Sequence, residues 1–192
     1  MPRTPAAVSL PKSSGLALCV RGAIKDSFFV KYRGGSIPDS LANKGVLCAL
    51  VVTPGQKKRA VLNTHMHDYS NDRLGTARFA WLDTLISCVR WIQEHWRAPK
   101  VLLGDFNIDS IGAYDRSNQA DFRCYQRLIN IGMDGSDRWY DVNARVHKGK
   151  PIKTNATVAI DHHLLGGETV GPAKFASLET PHSDHRLTIS EF

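Results

Sequence analysis

No stretch of this 192-residue chain approaches the roughly 18 consecutive apolar residues of a membrane-spanning helix, so none is expected. Cysteine is sparse. Cys19, Cys48, Cys88 and Cys124 stand far apart with no Cys-x-x-Cys pair, which argues against a disulfide framework. They read as small buried core residues of a protein kept in a reducing compartment. A secretory signal is missing too. Residues 1–14 are polar and rich in Pro and Ser, and their longest apolar stretch, Ala6-Ala7-Val8, is too short for an h-region. They are expected to form a disordered leader, and the location is cytoplasmic if Met1 is the true start. No internal repeat stands out. Acidic residues are outnumbered, 18 against 25 Lys and Arg, for a net charge of +7. That balance favours anionic partners: nucleic acid, acidic lipid or a phosphorylated ligand.

What is present is ordinary globular composition, 42% hydrophobic and 22% charged. The length suits one domain, read here as residues 15–192. Strands are expected at 15–20 and 44–52, the second a nearly continuous apolar run. Pro54-Gly55 then turns the chain back into a strand over 60–65, which leaves Lys57-Lys58-Arg59 at a hairpin end. The clearest helix runs over 72–96, where Leu82, Leu85, Ile86, Val89, Ile92 and Trp96 recur at helical spacing. Asn71 or Asp72 would cap it and Pro99 close it. A buried strand follows at 100–106, a shorter helix at 121–131, a loop carrying Arg145, Lys148, Lys150 and Lys153 at 134–153, and strands at 157–165 and 187–192. This alternation indicates a layered α/β fold.

Six histidines fall in three short clusters beside aspartates: His65 and His67 before Asp68, His162 and His163 after Asp161, and His182 and His185 around Asp184. Strand ends that gather carboxylates and imidazoles are how a site collects acids, bases and metal ligands from distant sequence. The most informative segment is Leu103-Gly104-Asp105-Phe106-Asn107. Strand alternation puts Asp105 and Asn107 on one side and Phe106 on the other. Asp105 accepts a proton or holds a cation, and Asn107 both donates and accepts hydrogen bonds, a pair suited to orienting water near a metal-bound phosphate. Tyr114, Trp139 and Tyr140 have the chemistry to stack on a base or meet a membrane, and packing is the competing role.

Asn63-Thr64-His65, Gly104-Asp105-Phe106-Asn107, Ile160-Asp161-His162 and Ser183-Asp184-His185 occur in that order. Together they make the chain resemble the endonuclease/exonuclease/phosphatase superfamily over residues 15–192. The stretch Gly15-Leu16-Ala17-Leu18 with Arg21 and Ile24, the run from Asp39 to Leu47, and Arg78 look most like its neutral sphingomyelinase branch. The resemblance implies a four-layer αββα sandwich and a divalent-metal-dependent phosphodiester hydrolase acting on a phospholipid or a related diester. It implies that His65 hydrogen-bonds a phosphate oxygen, that Asp105 orients or deprotonates the attacking water, and that Asn107 holds that water or the phosphate. It further implies that Asp184, with Asp105, binds Mg²⁺ or Mn²⁺, that His185 contacts phosphate or moves a proton, and that Asp161 stands behind His185. His67, Arg78 and His162 would line the substrate cleft. A DNA or RNA nuclease on the same site is the alternative, and the 57–59 and 145–153 basic patches fit it. No His-x-x-x-His or Cys/His spacing supports a closed zinc site.

The chain departs from that pattern at its start. The superfamily places an asparagine and a metal-binding Gln-Glu pair ahead of the matched region. Here the only Gln-Glu, Gln93-Glu94, lies in the long helix, and Glu168, Glu179 and Glu191 are misplaced. The sandwich is therefore expected to be incomplete in its N-terminal half, with an exposed edge or an uncovered apolar face. A truncated enzyme, a segment supplied by another chain, and an inactive binding module all fit this reading.

Overall fold

The computed structural model describes residues 15–37, 39–114, 116–131, 139–166, 174–181 and 183–191. The expected leader at 1–14, His182 and Glu168 lie outside the described residues, as does the side chain of Tyr114. Strands β1 (Ala23–Lys31), β2 (Gly45–Val52) and β3 (Lys58–His65) form an antiparallel meander. Helix α1 (Thr76–His95) crosses over to β4 (Lys100–Asp105), which lies parallel to β3. Then come α2 (Ser110–Tyr114), α3 (Gln119–Ile129), β5 (Trp139–Asp141), α4 (Val142–Val146) and β6 (Asp161–Gly166). The first sheet has six strands in the order β1-β2-β3-β4-β6-β5, and β7 (Lys174–Leu178) with β8 (Leu187–Glu191) forms a second, two-stranded sheet.

The layers follow from the side chains. Central strands β2 and β4 are apolar on both faces because both faces are covered. One face packs on α1 and α3 through Cys48, Leu62, Leu82, Leu85, Val89, Leu102 and Leu128, all completely or almost completely buried. The other packs on the small sheet through Val101, Leu165 and Phe175, joined by Val142 of α4. The result is an α/β/β sandwich. On the outer face of the small sheet Leu178, Leu187 and Ile189 are 50%, 53% and 45% exposed.

Several local expectations change. No strand forms at 15–20; the first strand is β1, an edge strand with a bulge between Ile24 and Asp26 and charges along its length. Edge strands of this kind carry too weak an apolar alternation to stand out in sequence. The long helix starts at Thr76, not residue 72, because Gly75 in a left-handed conformation precedes it. Asp72 still caps it, accepting the Ala77 and Arg78 N–H groups at 3.2 and 2.9 Å. The supposed loop 134–153 contains β5 and α4, and β7 forms where no strand is expected. Cys48, Cys88 and Cys124 are buried as expected, but Cys19 is exposed.

One glycine positions the site. Gly104 sits beside Thr64 at φ +134, and a Cβ there would lie 2.0 Å from the Thr64 carbonyl oxygen. Only glycine lets β3 and β4 run this close at the end where their functional side chains emerge.

Candidate active site

The register of three strands lines up His65, Asp105 and Asp161. His65 ends β3 opposite Asp105, which ends β4, and Asp105 faces Asp161, which opens β6. Parallel β3–β4 and antiparallel β4–β6 pairing therefore brings three distant residues into one row at one sheet end. His185, just before β8, closes over the row. Its Nδ1 lies 2.9 Å from Asp161 Oδ2 and its Nε2 3.7 Å from Asp105 Oδ2. His65 Nε2 lies 3.6 Å from the same Asp105 oxygen. A backbone bridge between Asn155 and His185, and an Arg186 N–H bond to the Thr154 carbonyl at 2.8 Å, hold the segment carrying His185 in place.

Asn107 reaches the site differently from the alternation argument. β4 ends at Asp105, and Asn107 turns into the left-handed region at φ 51. Its N–H donates to Asp105 Oδ1 at 2.8 Å, an Asx turn, and its Nδ2 donates to the Met66 carbonyl at 3.3 Å. Asn107 is buried and orients Asp105 directly.

Lys44 is the site residue that sequence reasoning missed. Its ammonium is buried at the entry to β2, 2.8 Å from Asp39 Oδ1, and donates to His65 Nε2 at 3.0 Å and to the Met66 carbonyl at 2.9 Å. A lysine held this deep at a strand entry was the available signal, but in sequence Asn43-Lys44-Gly45 reads equally as an ordinary strand start. Asp39 is held below the usual carboxylate range: burial opposes its charge, and Lys44, the Asp68 N–H and His67 outweigh that.

The electrostatics separate the groups. Burial, and then the Lys44 charge, push His65 down to about 4, so it is neutral with Nε2 as an acceptor. Burial, then the facing Asp161 carboxylate, push Asp105 up to about 6 against the Asn107 N–H, His185 and Lys44. For His185 desolvation disfavours the charged form, yet Asp161, with Asp105 and Asp184, raises it above the usual histidine value. The site thus pairs a carboxylate of raised basicity with a histidine of raised basicity braced from behind.

Asp105, Asp161 and His185 each offer a ligand atom, all within 4.8 Å of one another. Two half-buried carboxylates in mutual repulsion beside an imidazole are a donor set that a hard divalent cation fits, with water completing its shell. Asp184, expected to be the metal ligand beside Asp105, is not in this group; its carboxylate is exposed and acts on His185 through its charge.

The three residues expected to line the cleft do not. His67 is 0% exposed; its Nε2 accepts the Ser36 N–H at 2.9 Å and its Nδ1 faces the Asp68 carbonyl at 3.0 Å. It ties the segment that carries Asp39 to the end of β3. Arg78 is 1% exposed and spends its guanidinium on Asp72, Asp121 and the Asn107 carbonyl. It positions Asn107 from behind. His162 is also 0% exposed, and Phe106 packs edge-on against its ring. Neighbouring residues on a strand face opposite ways, so the histidine next to Asp161 points into the core.

His162 has both ring nitrogens on acceptors, Asp141 Oδ2 at 3.0 Å and the Ile108 carbonyl at 2.8 Å, so both carry protons. Burial opposes that charge, but Asp141 overrides it and raises His162, while His162 and the Tyr125 hydroxyl hold Asp141 down. A raised histidine contributes stability below its unfolded pKa, near 6.5, and loses it as pH climbs through the folded value. Urea unfolding should therefore show stability falling on the alkaline side of neutrality. His162→Gln should flatten that dependence and cost about 1.5–3 kcal/mol at pH 6. An unchanged slope would show that the ring is neutral.

Of the aromatic residues, Trp139 is packed in the core and Tyr140 lies under the Arg145 guanidinium at 4.6 Å. Lys57-Lys58-Arg59 is also misplaced for substrate. Lys58 opens β3 and His65 ends it, so seven residue steps, roughly 23 Å, separate that patch from the site.

No protein-family sequence model matches the chain, and no curated protein matches it in sequence. Its backbone does match solved structures. The human Nocturnin catalytic domain with bound sulfate superposes with a TM-score of 0.59 at 13% identity, over 88% of this chain and 58% of that one. An endonuclease/exonuclease/phosphatase family protein from Bacteroides thetaiotaomicron gives 0.52 at 14% identity, over 88% and 63%. D. rerio TDP2 in complex with a single-strand DNA product gives 0.52 at 16% identity, over 88% and 67%.

Proposed function

We infer that the chain, which has the endonuclease/exonuclease/phosphatase fold and spans 58% of the length of the Nocturnin domain it matches, is an enzyme of that fold. We propose that it is a divalent-metal-dependent phosphodiester hydrolase. The observation that carries this reading is the row His65–Asp105–Asp161 closed by His185, with Lys44 beneath it. A phosphodiester is anionic, and its hydrolysis needs neutralised charge, a positioned water and in-line approach. Lys44 supplies fixed positive charge. Asp105, with basicity raised towards neutrality and aimed by Asn107, takes the proton of the attacking water. His185 donates a hydrogen bond or proton to the phosphoryl oxygens while Asp161 fixes its tautomer. His65 accepts from Lys44 through Nε2 and so holds that charge at the row. Asp105 and Asp161 would hold Mg²⁺ or Mn²⁺ with water completing its shell, and the ion would supply Lewis-acid stabilisation of phosphoryl charge.

The substrate we favour is a phospholipid diester, from the resemblance to the sphingomyelinase branch. A nuclease activity loses the nearby support of the 57–59 patch, although one protein of like fold holds a single-strand DNA product. The test is hydrolysis of bis-p-nitrophenyl phosphate with Mg²⁺ or Mn²⁺ and with chelator, followed by sphingomyelin vesicles and a single-stranded oligonucleotide as competing substrates. Turnover of the first that chelator abolishes, and that Lys44→Met lowers by about 10²-fold, is expected. No metal-dependent turnover from folded protein overturns the reading and leaves a binding module.

A further inference from the structure

On the face of the molecule formed by its helices, α1 and α3 enclose a groove of about 840 Å³. Its walls carry Arg90, Arg123 and Arg127 with Phe79 and Phe122, and Asp83 is its one acidic lining residue. Asp83 is itself paired with Arg127, so it does not cancel the other two arginines. Two cation–π stacks flank the groove: the Arg127 guanidinium lies 4.3 Å from the Phe79 ring centre, and that of Arg116 lies 5.2 Å from Phe122. Arg127 Nε is buried without a hydrogen-bond acceptor among the described residues.

We propose that this groove binds a single-stranded polynucleotide. Its positive charge rests on arginine alone, with no lysine in the lining. Guanidinium groups fork onto phosphate oxygens, and their flat faces, backed by phenylalanine, stack on planar rings. Fixed plates alternating with positive charge match a chain of flat bases joined by phosphates. The concavity favours an elongated chain over a flat lipid surface, and the flat plates give no advantage to an acidic peptide. The groove sits on the helix side of the first sheet and shares no lining residue with the row at the strand ends. It binds whether or not that row is catalytic.

The test is fluorescence anisotropy of fluorescein-labelled (dT)8 and (rU)8 with the full chain in EDTA, at several salt concentrations. Saturable binding of both is expected, with a log–log salt slope near 1.4 for two neutralised phosphates, those on Arg90 and Arg123. Arg90→Glu with Arg123→Glu should weaken it by about tenfold or more and lower the slope by about 1.4. Phe79→Leu should weaken it by about fivefold with the slope unchanged, as the loss of a stacking plate predicts. Asp105→Asn should leave it within twofold. If the double variant does not fold, Arg123→Gln carries the same test with a smaller loss. Absence of saturable binding, or binding that ignores these substitutions, overturns the proposal. So does equal affinity for oligo-glutamate or for phosphatidylserine vesicles, which would mark the groove as a general anion or membrane surface.

Discussion

Asp105→Asn is expected to lower metal-dependent phosphodiester turnover by about 10³-fold while making the metal-free protein more stable. The two changes have one cause. Burial and Asp161 hold the Asp105 carboxyl at about 6, above its unfolded value near 3.9. A carboxyl raised in this way binds its proton more tightly when folded, so the folded state loses stability as pH rises from about 4 to about 6. At pH 7 the charge costs about 2–3 kcal/mol. Asparagine removes it and keeps an oxygen for the Asn107 N–H. Thermal unfolding in chelator should show a higher midpoint for the variant, and adding Mg²⁺ should stabilise the wild type more than the variant. Lost turnover with lowered stability would mean that Asp105 is a structural acceptor. Unchanged turnover would remove it from the chemistry altogether.

Arg78→Met is expected to destabilise the fold by about 3–5 kcal/mol, the usual effect of leaving buried charges without their partner. Arg78 is the sole cation holding Asp72 and Asp121 together among the bonds described, and both carboxylates are buried. Burial already raises Asp121 despite the guanidinium beside it. Its loss also frees the Asn107 carbonyl, which sits on a residue at positive φ. Urea unfolding of Arg78→Met, and of Arg78→Met with Asp121→Asn, checks this. The double variant should recover part of the loss, because the neutral amide can be buried at lower cost. A loss below about 1 kcal/mol, with no recovery, would mean that the network contributes little beyond packing.

The residue types of the site, and the ends of the strands that carry them, are legible along the chain. The apolar runs before His65 and before Asp105 have to be buried strands, and a polar residue that ends such a run has to emerge at the sheet's rim. The helical period of Leu82, Leu85, Val89 and Ile92 likewise dictated which face of α1 meets the sheet. Which neighbours those residues acquire was decided only in three dimensions. His162 and His163 follow Asp161 directly, yet strand alternation sends Asp161 to the rim, His162 to an ion pair in the core and His163 against the hydroxyls of Thr188 and Ser190. The sequence places Arg78 and His67 at a substrate cleft and Lys44 at an ordinary strand entry. Tertiary packing buried all three and gave each different work: Arg78 braces Asn107, His67 ties down the segment bearing Asp39, and Lys44 alone reaches the row of catalytic candidates. Periodicity and strand-end chemistry are local and can be read along a chain. Burial of a charge depends on which distant carboxylate or carbonyl arrives to meet it, and that is a property of the packed fold.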